Sequence, residues 1–247
     1  MLEINNLYKN YGQKEAVKDL SLTVRPGEIY GFLGHNGAGK TTTIKVCTGL
    51  IKPTSGSVNI CGYDIVKQPI EAKRQFGYVP DNPYLYDKLT GREFLDAVSD
   101  IYMKDRRSDA VARRDELLEK MQMTADADKL IGSYSHGMRR KITLCAALLH
   151  APPVIFLDEP TSGLDASSAK VAKDLFRELA DNGSSVLLTT HVLEIVERIC
   201  DRIGIIFEGK LIAEGTFEEL KQRYEKPGST LEDIYLNLTE TSRGEAV

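Results

Sequence analysis

The sequence has little of what marks several large protein classes. Only four cysteines occur in 247 residues, Cys47, Cys61, Cys145 and Cys200, far apart and inside apolar stretches. They form neither a CxxC nor a Cys/His cluster, which argues against a disulfide scaffold or a zinc site and reads as a reduced chain. No run of Lys and Arg exceeds the three residues Arg139, Arg140 and Lys141, and the formal net charge is -4. A protein held to nucleic acid needs a basic face toward the phosphate backbone, so no nucleic-acid partner is expected. Long hydrophobic runs are missing too. The most apolar stretch, residues 142–157, is too short for a bilayer and is broken by His150, Pro152 and Pro153. The opening MLEINNLYKN is polar throughout, unlike a signal peptide. A soluble chain is expected, long enough for one large domain with an insertion and too short for two independent enzymes. There is no internal repeat and no low-complexity segment.

What is present is an ordered change of pattern along the chain. Residues 2–7, 16–24 and 28–33 are short, rich in Val, Ile, Leu and Tyr, and punctuated by Tyr11-Gly12 and Pro26-Gly27, as strands are. A helix is predicted from Lys40, with Thr43, Val46, Cys47 and Leu50 on one face, before two more strands at 56–62 and 76–79. Residues 90–150 then read as helices, the last of them with Met138, Ile142, Cys145 and Leu149 on one stripe. From Val154 onward strands alternate with helices: strands at 154–157, 185–189 and 202–207, helices at 168–182 and 192–200. That alternation builds a parallel sheet with crossover helices. A Glu-Gly-Lys hairpin follows at 208–210. In STLEDIYLNLTE, Leu231, Ile234, Tyr235 and Leu238 share a helical face, and the polar SRGEAV is expected to fray.

GHNGAGKT has the G-x-x-x-x-G-K-[ST] form and stands between a predicted strand and a predicted helix. Glycines there let the backbone wrap around phosphate oxygens, with N–H groups and the helix start facing the anion. The candidate set is Gly34, His35, Asn36, Gly37, Ala38, Gly39, Lys40, Thr41 and Thr42. Lys40 is placed to reach the outer phosphates and the Thr41 hydroxyl to ligate Mg²⁺. The rival reading is a glycine-rich turn. VIFLDEP is an apolar strand that delivers two carboxylates to a sheet edge. Asp158 is expected to hold the metal and Glu159 to face an attacking water, against the rival that the acids only cap the next helix. No Asn-Lys-x-Asp occurs, so nothing marks a guanine-specific GTPase.

The phosphate loop, SHGM at 135–138, VIFLDEP, SGLD at 162–165 and the lone His191 occur in the order and spacing of an ABC-transporter ATP-binding subunit, which the first 220 residues or so resemble. The resemblance implies an α/β P-loop NTPase fold: a mostly parallel core sheet, an N-terminal antiparallel β subdomain and an inserted helical subdomain. It implies an ATP-binding domain over residues 1–220, with the helical part inserted at about 83–150, and a C-terminal extension at 221–247 that resembles those of ABC-2-type exporters. ATP and Mg²⁺ are the implied cofactors. The implied activity is ATP hydrolysis driving separate integral membrane permease subunits, from the cytoplasmic face of the membrane, by a pair of identical cassettes.

Residue by residue, the resemblance makes Tyr11 the adenine-stacking aromatic, with a core strand tyrosine as the alternative. Ser135 and Gly137 meet the γ-phosphate of ATP held by the opposite subunit, although SHG also reads as an ordinary helix N-cap. His191 implies the γ-phosphate-sensing histidine beside Glu159. Asp165 implies a place at the subunit interface, with a plain helix start as its rival. Three positions depart from the family pattern. His136 and Met138 stand where Gly and Gln are usual, and Asp81 stands where a glutamine normally touches Mg²⁺; Asp81 is expected to keep a metal role. The rival from another class is a soluble ABC-type ATPase acting on a macromolecule, which the acidic charge and single cassette disfavour.

Overall fold

The computed structural model describes residues 1–224 and 230–244. Its elements run, in chain order, β1 (Leu2–Tyr11), β2 (Lys14–Val24), β3 (Ile29–Leu33), α1 (Lys40–Cys47), β4 (Ser55–Ile60), β5 (Tyr63–Asp64), α2 (Pro69–Lys73) and β6 (Phe76–Val79). The helical part follows as α3 (Gly91–Tyr102), α4 (Arg107–Lys120) and α5 (His136–Leu148). Then come β7 (Val154–Asp158), α6 (Ala166–Asp181), β8 (Ser185–Thr190), α7 (Leu193–Ile199), β9 (Arg202–Phe207), β10 (Lys210–Gly215), α8 (Phe217–Tyr224) and α9 (Leu231–Gly244).

Two sheets result. The first is antiparallel, in the order β2-β1-β4-β5. The second has the order β10-β9-β3-β8-β7-β6 and is parallel from β9 to β6, with β10 returning antiparallel on β9. Strands β3, β7 and β8 are buried along their whole length, which is why their sequences IYGFL, VIFLD and SVLLTT show no apolar/polar alternation. Packing Val17, Leu20 and Val58 of the antiparallel sheet over Phe32, Phe156 and Ile44 makes one core. A second core joins Ile155 and Leu188 to α5, α6 and the helical part. A third docks α8 and α9 on β9 through Leu220, Leu231 and Ile234.

Three details differ from the sequence expectation. Leu50 is 60 % exposed instead of on the buried face of α1, because that helix ends at Cys47 and the chain turns at Gly49. β5, α2 and α8 have no counterpart in the sequence reading. Of the polar tail 242–247, α9 takes in residues up to Gly244, and 245–247 lie outside the described residues.

Candidate active site

The site forms at the C-terminal ends of β3, β7 and β8, where three neighbouring strands stop together. Between β3 and α1 the loop closes tightly. A Cβ on Gly34 would lie 2.6 Å from the Ile206 carbonyl oxygen, and one on Gly39 2.6 Å from that of Ala16. Gly39 also takes φ 114, so both the space and the backbone there require glycine. α1 starts from Gly39 with no side-chain cap. The first amides of a helix have no intrahelical acceptor, so a start without a side-chain cap is able to receive an anion.

Lys40, 6 % exposed, folds back over this loop: Nζ donates to the carbonyls of Gly34 at 2.5 Å and His35 at 3.2 Å, and lies 3.9 Å from Glu159 Oε1. Burial lowers its pKa, opposed by the nearby charges of Glu159 and Asp158. Asp158 ends β7 fully buried. Its Oδ1 accepts from Thr189 Oγ1 at 2.5 Å and from Thr41 Oγ1 at 3.5 Å, and burial raises its pKa. Glu159 takes φ 49, in the left-handed region. Its amide donates to the Thr189 carbonyl, and its carboxylate accepts from Thr190 Oγ1 at 3.0 Å and contacts His191 Nδ1 at 2.9 Å. The pairing of Asp158 with Thr189 across two adjacent strands brings His191 to Glu159.

A cavity of about 370 Å³ opens above these groups, lined by Tyr11, Lys14, Ala16, Asp81, Glu159 and the loop residues His35, Asn36, Gly37, Gly39, Lys40, Thr41 and Thr42. Tyr11 is 48 % exposed with Lys9 Nζ 5.0 Å from its ring centre, so it is no core tyrosine. Gly34 and His191 line an adjoining hollow with Tyr235 of α9. Ala38 is buried beneath the loop, its carbonyl accepting from the Gly209 amide.

Three expected residues stand apart from that cavity. Ser135 and Gly137 start α5, with Ser135 Oγ accepting from the Met138 amide at 3.3 Å and Gly137 near the Gly163 carbonyl. Asp165 caps α6, accepting from the Ser168 amide at 2.9 Å and from its hydroxyl at 2.7 Å, which holds its carboxyl below the usual range. His136 is exposed and its ring packs against Gly163. Three contributors went unread in the sequence: Thr189 and Thr190, which grip the two carboxylates, and Arg140, fully buried behind Asp81 and Glu159. Arg140 shares its helix face with Leu144, Ala147 and Leu148, all buried. That spacing is the signal that separates it from its charged neighbours.

Comparison with known proteins bears on the family and the fold. The ABC transporter family profile matches residues 17–162. The bacitracin transport ATP-binding protein BcrA of Bacillus licheniformis is 39 % identical over 227 residues, covering 92 % of this chain and 73 % of its own. The daunorubicin resistance ATP-binding protein DrrA3 of Streptomyces coeruleorubidus is 39 % identical over 220 residues, 89 % of this chain and 69 % of its own. Among solved structures, an ATP-binding subunit of an ABC transporter superposes with a TM-score of 0.92 at 32 % identity, over 97 % of this chain and 99 % of the other. A dimeric bacterial ABC transporter cassette gives 0.78 at 25 % identity, over 87 % and 98 %. A phosphate loop opening onto two gripped carboxylates, in a chain with these relatives, is that of an ATP-hydrolysing cassette: the protein belongs to the ABC transporter family, as an ATP-binding subunit.

Proposed function

We propose that two copies of this chain face head to tail around two ATP molecules and drive membrane subunits that export their cargo. One observation carries the reading: the cavity is lined by the phosphate loop, Tyr11 and Glu159, but by neither Ser135 nor Gly137. A second copy would bring that helix start to the open side. In this arrangement Tyr11 stacks on the adenine ring. The open amides of α1 and the Lys40 ammonium hold the phosphates, so Lys40 must leave the carbonyls of Gly34 and His35. Glu159 takes the proton of the attacking water, and His191 holds its carboxylate in line. Ser135 and the Gly137 amide donate to the γ-phosphate of the opposite copy. Asp165 stands at the seam between the copies while it caps its own helix.

The residues also fit Mg²⁺. Thr41 Oγ1 and Asp158 Oδ1 lie 3.5 Å apart, both hard oxygen donors, and Asp158 is buried. When bound, the ion supplies positive charge to the terminal phosphate oxygens. Asp81 lines the same cavity and serves as an outer contact to that ion. No helix among the described residues is long and apolar enough to cross a membrane. We assign the transport path to separate permease subunits, with this chain peripheral on the cytoplasmic face. A groove of about 390 Å³ between β6, α3 and α5, with Tyr84 99 % and Tyr86 70 % exposed beside it, suits a short segment of such a partner. Export is supported by relatives named for bacitracin transport, linearmycin and daunorubicin resistance and Nod factor export. We place the ATP-binding unit at residues 1–220, its helical insertion at 83–150, and an extension at 221–247.

Serial dilution tests the reading. ATP turnover per chain should fall as the copies separate, in step with the dimer fraction measured by light scattering. A flat value down to strictly monomeric protein defeats it.

A further inference from the structure

Arg140 is among the largest fully buried side chains of the molecule, on the inward face of α5. Its guanidinium spans the ends of two paired strands. Nη1 donates to the Pro80 carbonyl, just past β6, at 2.5 Å. Nη2 donates to the Glu159 carbonyl, just past β7, at 2.8 Å, and lies 3.4 Å from Asp81 Oδ1. Nε has no partner, and burial lowers the pKa against the pull of Asp81. A guanidinium buried with an incomplete set of partners is weak evidence for stability, since its desolvation cost offsets its contacts. Its position asks for another account.

Glu159 supplies one. A left-handed φ on a residue with a Cβ costs about 1–3 kcal/mol and persists only where its surroundings hold it. Here the amide is held by the Thr189 carbonyl and the carbonyl by Arg140, one on each side of the strained residue. That grip decides where the side chain points, and it points to Thr190 and His191. Arg140 itself does not line the nucleotide cavity.

We propose that Arg140 is a positioning residue for ATP hydrolysis: through the Glu159 carbonyl it fixes the backbone that aims the base, and through Pro80 and Asp81 it ties the loop after β6 to the same point. The inference rests on Glu159 acting as the base. A lysine keeps the charge but replaces the rigid planar fork of two nitrogens with one compact ammonium on a flexible stem, so it does not hold the two carbonyls in this fixed geometry.

The test compares Arg140→Lys and Arg140→Gln with wild type in steady-state ATP hydrolysis and in calorimetric ATP binding. The expected result is a fall in kcat of about 10- to 100-fold, the scale of small misplacements at a reacting group, with KM and Kd for ATP within about threefold. Placed in a Glu159→Gln background, Arg140→Lys should lower the residual rate no further, because both act through one group. An Arg140→Lys protein with wild-type kcat overturns the proposal. So does a loss of kcat matched by an equal loss of ATP affinity, a further loss in the double variant, or failure of both variants to fold, each of which leaves Arg140 a purely structural role. Wild-type turnover in Glu159→Gln alone would instead remove Glu159 as the base, a separate failure.

Discussion

The starts of α1 and α5 are built on opposite plans. α1 begins at Gly39, left-handed and with no side-chain cap, while α5 begins at Ser135, extended, with its hydroxyl already accepting from the Met138 amide. Each helix start leaves several amides without acceptors. The first has no acceptor from a side chain; at the second the Ser135 hydroxyl answers one of those amides. An open start makes a site that depends on its ligand. A capped start makes an element that stands alone and exchanges one acceptor for another at a cost of about 1 kcal/mol.

That contrast can be broken most sharply at Lys40. Its ammonium is expected to make two charge-assisted bonds to the phosphates, each worth about 1.5–3 kcal/mol. Lys40→Ala should therefore weaken ATP binding by about 100-fold or more in calorimetry, with the fold retained by circular dichroism; unchanged affinity would detach the loop from phosphate binding. Gly39→Ala comes next. The new Cβ would press on the Ala16 carbonyl oxygen in a backbone that disfavours it, a strain of about 1–3 kcal/mol. Its melting temperature should drop by several degrees and its ATP affinity fall with it. Ser135→Ala should be mildest for the fold, about 1 kcal/mol, or about 2–4 °C in a chain of this size. Its ATP turnover should nonetheless fall more than tenfold. Loss of stability without loss of turnover in Ser135→Ala would make α5 an ordinary capped helix.

Much of this was legible before the fold. Short segments without apolar/polar alternation, ending in Leu33, Asp158 and Thr190, mark strands buried on both faces, and the glycine and hydroxyl residues around Lys40, Ser135 and Asp165 mark helix starts. Short elements were not. The two residues of β5 and the five of α2 carry no measurable period, and α8 is masked by charged residues around its single buried leucine, Leu220. Leu50 was misplaced because periodicity does not say where a helix stops. The grip on the carboxylates was hidden for a different reason. Thr189, Thr190 and Arg140 meet Asp158 and Glu159 only once β7 and β8 lie in register and α5 packs beneath them, so no local spacing records it. Asp81 shows the limit of motif reasoning: its position was read, but its contact with Arg140 was not.

The nearness of Lys40 to Glu159 has one more consequence. The two side chains stand 3.9 Å apart, and the same ammonium donates to the carbonyls of Gly34 and His35. Opposite charges that close are strongly coupled, so a change of charge on either is felt by the other. Holding the nucleotide and cutting it are thereby joined electrostatically within one small volume.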